Sequence, residues 1–102
     1  MAGFRINYPR VISQANSMNN LSYELGREIQ QLEGILADVK ANWAGPASQA
    51  YQKQLLMLIA DMKSTKFKIS SVSSTIKNVA NRIQREDERL AELSKNLYER
   101  ST

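Results

Sequence analysis

Residues 40–51 read KANWAGPASQAY, and this stretch decides the fold. Gly45 supplies the left-handed conformation that a helix C-terminus favours, and Pro46 cannot continue a preceding helix. On the N-terminal side of this break, Val11, Ala15, Met18, Ser22, Leu25, Ile29, Leu32, Leu36, Val39 and Trp43 step alternately by four and three, with Ser22 the one polar member. On the C-terminal side the pattern resumes at Tyr51 and runs through Leu55, Leu58, Met62, Thr65, Ile69, Val72, Ile76, Val79, Ile83, Glu86, Leu90, Leu93 and Leu97. From Ala47 onward no Gly or Pro interrupts it. Two such stripes joined by a short turn predict an all-α fold: an antiparallel helix-turn-helix hairpin with each helix burying its seam against the other. The first helix is expected over about residues 8–42, the turn over 43–46, and the second helix over about 47–97. All belong to a single domain spanning 1–102, with Met1 to Asn7 as a short, loosely held tail.

Pairing geometry adds two expectations. With the turn centred near residues 44 and 45, residue i lies opposite about residue 89 minus i, so Tyr8 should face about Asn81. Everything after about Arg82 then forms a C-terminal arm of about 20 residues, or about 30 Å at 1.5 Å per residue. Ile83, Leu90, Leu93 and Leu97 continue the apolar stripe into this arm without an intrachain partner, and together with Asp87 they are the candidate docking residues. Leu21, Ile35, Leu56, Ile59 and Phe67 lie off the principal stripe, and the same rule sets Leu21 near Phe67 and Ile35 near Leu56. Added to the seam, these five widen the apolar arc beyond what two helices can bury and make a candidate dimer interface. The natural complement is a second hairpin, giving a four-helix bundle dimer.

Composition removes most chemistry. The 102 residues include no Cys and no His, so disulfides, thiolates, imidazole bases and nearly all zinc-ligand sets are absent. The acids Glu86, Asp87 and Glu88 alternate with Arg82, Arg85 and Arg89, and Arg82 with Glu86 and Arg85 with Glu88 read as ion pairs on a solvated face rather than a catalytic or metal site. The serines between Ser64 and Ser74 have no His to activate them. No enzyme activity, cofactor, metal or small-molecule substrate is therefore expected. The longest apolar run, Leu55 to Ala60, is far short of the roughly 20 residues of a membrane span, and Met1 to Ala15 lacks the apolar core of a signal peptide. The net charge of +4 arises from Lys53, Lys63, Lys66, Lys68 and Lys77 set against Asp61. A basic helical hairpin binding nucleic acid is thus an alternative of another class, although these lysines have no aromatic interleaving and no Gly-rich loop.

The whole constellation resembles the WXG100 (ESAT-6-like) family: about 100 residues, a heptad helix, Trp43-Ala44-Gly45 near the middle, small residues and Tyr51 after it, a second heptad helix and no Cys. The resemblance covers about Val11 to Leu97. It implies a hairpin pairing into an antiparallel four-helix dimer, exported by the type VII secretion system of Gram-positive bacteria without a cleaved signal peptide, cytoplasmic before export and virulence-associated. It also implies that Trp43 and Gly45 form one half of an export motif, completed by a motif in the C-terminal arm of a partner, often Tyr-x-x-x-Asp/Glu. Here the sequence departs from the pattern, because Thr102 stands four residues after Tyr98. A related arm pattern is met by Ile83, Asp87 and Leu90, with Ser94 where a further apolar residue is expected. Two roles stay open: a secreted homodimer, or an adaptor that heterodimerises with a related chain or a larger helical toxin and completes its signal.

Overall fold

The computed structural model describes residues 6–101, with side chains through residue 100; of the tail expected over Met1 to Asn7, residues 1–5 lie outside the described part. The described residues form two helices, α1 over Tyr8–Asn42 and α2 over Pro46–Ser101. They pack along one seam into a rod of 86 × 18 × 15 Å. Asn7 starts α1: its side-chain oxygen accepts the Arg10 backbone N–H at 3.1 Å, and Pro9 in the first turn loses no helical hydrogen bond.

The seam has two characters. Nearest the turn, Ile29, Leu36, Leu55 and Ile59 form the buried cluster, with Leu25, Leu32 and Met62 against it. Each large side chain buried there contributes about 1.5–3 kcal/mol. Farther out the buried residues are small: Ala15 and Ser22 on α1, Ser73 and Ala80 on α2. The hydroxyls of this half are satisfied across the seam. Ser73 Oγ donates to the Ala15 carbonyl at 2.7 Å, while Ser22 Oγ lies 3.3 Å from the Lys66 carbonyl and 2.8 Å from Ser70 Oγ.

On α1 the sequence stripe from Val11 to Val39 is buried or half-buried throughout, joined by Tyr8, Ile12, Asn19 and Gly26, while Trp43 is exposed. On α2 the seam is turned. It keeps Leu55, Met62, Ile69 and Ile76, but alternates them with Ile59, Lys66, Ser73 and Ala80 instead of Leu58, Thr65, Val72 and Val79, which are exposed. Ile59, assigned from the sequence to the side face, is therefore only 4% exposed and belongs to the core. The physical reason is close approach. The small Ser73 and Ala80 let the helices approach closely enough for Ser73 to bond Ala15 and Ser22 to bond Lys66 and Ser70, whereas Val72 and Val79 would hold the axes apart.

Substitution of Ile59 by Ala should lower stability by about 2–5 kcal/mol, since it opens a cavity in the cluster. Val72→Ala should change it by less than about 0.5 kcal/mol. Chemical denaturation of dilute protein followed by helical circular dichroism measures both, and equal losses would contradict the turned seam.

Candidate partner-binding surfaces

The turn is built from a few short-range bonds. Trp43 ends α1 in extended conformation, its N–H reaching the Val39 carbonyl at 2.9 Å. Gly45 has φ of +111°, the region where a Cβ is costly. From the sequence, Gly45 is expected to cap the C-terminus of the first helix. It instead caps the start of α2, its carbonyl accepting the Gln49 N–H at 3.1 Å, with Pro46 as the first helical residue. Ser48, which the sequence reading did not single out, locks the corner: 1% exposed, it donates to the Trp43 carbonyl at 2.7 Å and accepts from Gln52 Nε2 at 3.1 Å. A small polar residue one turn after Gly-Pro was the available signal. The Trp43 indole tilts against the Tyr51 ring at a centroid distance of 5.8 Å and remains 46% exposed, so it caps the rod while presenting a free aromatic surface.

At the opposite end, the Tyr8 hydroxyl donates to Asp87 Oδ2. The level rule had set Tyr8 opposite Asn81 and begun the arm after about Arg82. Side chains lean toward the N-terminus of their own helix, so Tyr8 leans outward along the rod and Asp87 leans back toward the turn, and they meet beyond the level of the backbones. Gln84 likewise lines a recess with Tyr8, Pro9 and Ile12. Contact with α1 thus extends to Asp87, and Asp87, a candidate arm residue, is engaged within the chain. The hydrogen bond from Tyr8 to the Asp87 carboxylate, with that carboxylate's charge, pushes the phenol up to about 12 from 10.0. Glu86 pairs with Arg89 at 2.6 Å rather than with Arg82, and that hydrogen bond holds Glu86 below the usual carboxylate range.

Beyond this clasp, Leu90, Leu93 and Leu97 are exposed on α2, continuing from Ile83 and Val79 at its base. The five side-face residues do not form one face. Leu56 lines a groove with Glu33, Lys40 and Lys63 on one side of the hairpin. Ile35 follows Glu33 by two residues, or about 200° of helical rotation, and so lies on the other side, as does Leu21 two heptads' spacing before it. Phe67, 75% exposed, follows Lys63 by four residues and stays on the groove side, so it shares a level but not a face with Leu21. The level rule fixes height along the rod and says nothing about side. By the same rotation Leu58 opposes Leu56, and the exposed residues Leu58, Val72 and Val79 join Leu21 and Ile35 in one apolar side that runs into the arm. No described helix is long and apolar enough to cross a membrane.

The WXG100 family model, described as proteins of 100 residues with WXG, matches residues 3–88. No curated protein and no solved structure matches the chain. The matched span includes the Trp43 corner and both partners of the Tyr8–Asp87 clasp. The family is one of small, non-enzymatic helical proteins secreted by type VII systems.

Because folding raises the Tyr8 pKa, its contribution to stability is complete below pH 10.0 and is lost as pH rises toward about 12. Asp87→Asn should return the Tyr8 titration toward 10.0, read from tyrosinate ultraviolet absorbance; an unchanged titration would mean the clasp does not form in solution.

Proposed function

Because the chain belongs to the WXG100 family, we propose that it acts in type VII secretion by binding another helical chain along one side of the hairpin, and that Trp43, Gly45 and the C-terminal arm are its export elements. The observation that carries this reading is the apolar side formed by Leu58, Val72 and Val79 with Leu21 and Ile35, broken by Glu28, Thr65 and Glu86, whose line on α2 runs on into Ile83, Leu90, Leu93 and Leu97. A two-helix hairpin can cover one stripe per helix, and this second stripe has the spacing of a helix-packing seam. A second hairpin, either another copy or a related chain, covers it in a four-helix bundle. The protein is then cytoplasmic until exported without cleavage, and its cargo is itself or its partner.

The adaptor role has its own support. Tyr98 is not followed by an acid at the fourth position, so the arm alone lacks the usual second half of the signal, and a larger helical toxin would supply it. The exposed Trp43 face is available to be joined by a partner's arm on either account.

Light scattering at micromolar concentration should give the mass of two chains, and Leu58→Glu with Val72→Glu should give one chain with helicity retained. A monomeric wild type that also fails to pair when co-expressed with neighbouring helical chains would overturn the reading.

Trp43→Ala should reduce secretion from a type VII-competent host by about tenfold while leaving the thermal midpoint within a few degrees. Truncation after Glu88, which spares the Tyr8–Asp87 clasp, should preserve the hairpin and abolish export; unimpaired export by both variants would remove the export roles.

A further inference from the structure

The side of the hairpin opposite the apolar stripe carries a groove between the helices with a different chemistry. Its floor is the edge of the buried cluster, Ile29 and Leu36 of α1 and Ile59 of α2, with Leu56 the half-exposed apolar side chain open to a partner. Its rim is cationic: Arg27 and Lys40 rise from α1, Lys63 and Lys66 from α2. The lobe around Gly26 and Lys66 encloses about 380 Å³, and the lobe around Ala37 and Leu56 about 210 Å³. Glu33 is the acid within it, sharing Lys63 at 3.6 Å, and Glu24 lies in an adjoining recess beyond Arg27. Arg27, Lys40 and Lys66 form no ion pair among the described residues.

Gly26 is the telling detail. Glycine is among the poorest helix formers, yet it stands in the interior of α1. A methyl group there would lie 2.8 Å from Lys66 Cε, so the missing side chain is what lets the Lys66 stem lie across α1 and hold its ammonium within the groove. Lys66 is a seam position on α2. With a methyl group there, the end of the Lys66 side chain would have to shift.

We propose that this groove docks an acidic amphipathic helix of a third component, on the opposite side of the hairpin from the dimer face. Two antiparallel helices present ridges that seat a third helix, whose apolar residues at i, i+3, i+4 and i+7 meet the floor. Its flanking carboxylates meet Arg27, Lys40, Lys63 and Lys66, where the single internal acid leaves a net positive rim. From Arg27 to Lys40 the groove runs about 20 Å, room for about four turns of docked helix. A nucleic-acid backbone fits less well, since phosphates would cover an apolar floor and meet Glu33.

The test uses the full chain and a synthetic 18-residue helix with leucines at the spacing above and glutamates flanking them, followed by fluorescence anisotropy. A charge-reversed lysine peptide and a 20-base-pair DNA duplex serve as comparison probes. The acidic peptide should bind, should weaken as salt rises, and should outcompete the other two. Arg27→Glu and Lys63→Glu, both exposed positions, should together weaken it at least about tenfold through charge reversal at the rim. Gly26→Ala should weaken it at least about threefold while raising the thermal midpoint, because alanine favours the helix but displaces Lys66. Leu58→Glu, which disables the dimer face, should leave peptide binding unchanged, so that this inference and the dimer reading fail separately. Equal binding by the Arg27 and Lys63 variants, preference for the DNA, or absence of peptide binding overturns the proposal.

Discussion

A hairpin of two helices has one mutual face, and everything about this chain follows from how unevenly that face is shared. The seam can bury one stripe on each helix. α1 has 35 residues and carries little more than one stripe. α2 has 56 residues and carries a wider apolar arc, so wherever the seam is placed, part of that arc faces outward. The seam settles on the Ile59, Ser73 and Ala80 edge, and Leu58, Val72 and Val79 are left at the surface. The uncovered side and the uncovered arm are two results of one mismatch in length and width.

Within the seam, the division of labour between apolar and polar contacts has consequences for stability and register. The cluster of Ile29, Leu36, Leu55 and Ile59 near the turn supplies most of the apolar burial. The half toward the open end relies on Ala15, Ser22, Ser73 and Ala80, which bury little area but fix the helices' relative height by the Ser73 and Ser22 hydrogen bonds. A shift of one residue would leave those hydroxyls unpaired in a buried place, which is costly. Opening is therefore easiest at the end farthest from the turn, where the Tyr8–Asp87 bond is the last tie before the arm.

The hairpin was legible in the sequence because a heptad pattern interrupted at Gly45-Pro46 leaves few alternatives. The α1 seam was legible too, since each of its stripe positions is apolar except Ser22. The α2 seam was misread because its two flanks differ by a single position, and hydrophobicity ranks Val72 above Ser73 and Val79 above Ala80. Packing ranks them the other way: small residues permit the close approach that satisfies two hydroxyls. The level rule erred at Tyr8 because it counted backbones and not the lean of side chains. It joined Leu21 to Phe67 because height along a rod does not specify side. Ser48 and Gly26 were not singled out for a related reason. The role of each lies in what it permits a distant group to do, one bonding the Trp43 carbonyl and the other admitting Lys66.

The surfaces left over are sorted around the rod by chemistry. One side is apolar and continuous with the arm; the other combines an apolar floor with a cationic rim; the turn ends in an exposed aromatic pair. Leu56 and Leu58 sit two residues apart and point to opposite sides, flanking the seam at Leu55 and Ile59. This separation means that covering one side leaves the other accessible. The apolar side is suited to lasting burial, since its stripe matches a second helical hairpin. The cationic groove is suited to a reversible contact whose strength falls with salt. A rod with both can be paired along its length and still be read from the outside, which a two-helix hairpin with a single apolar stripe could not achieve.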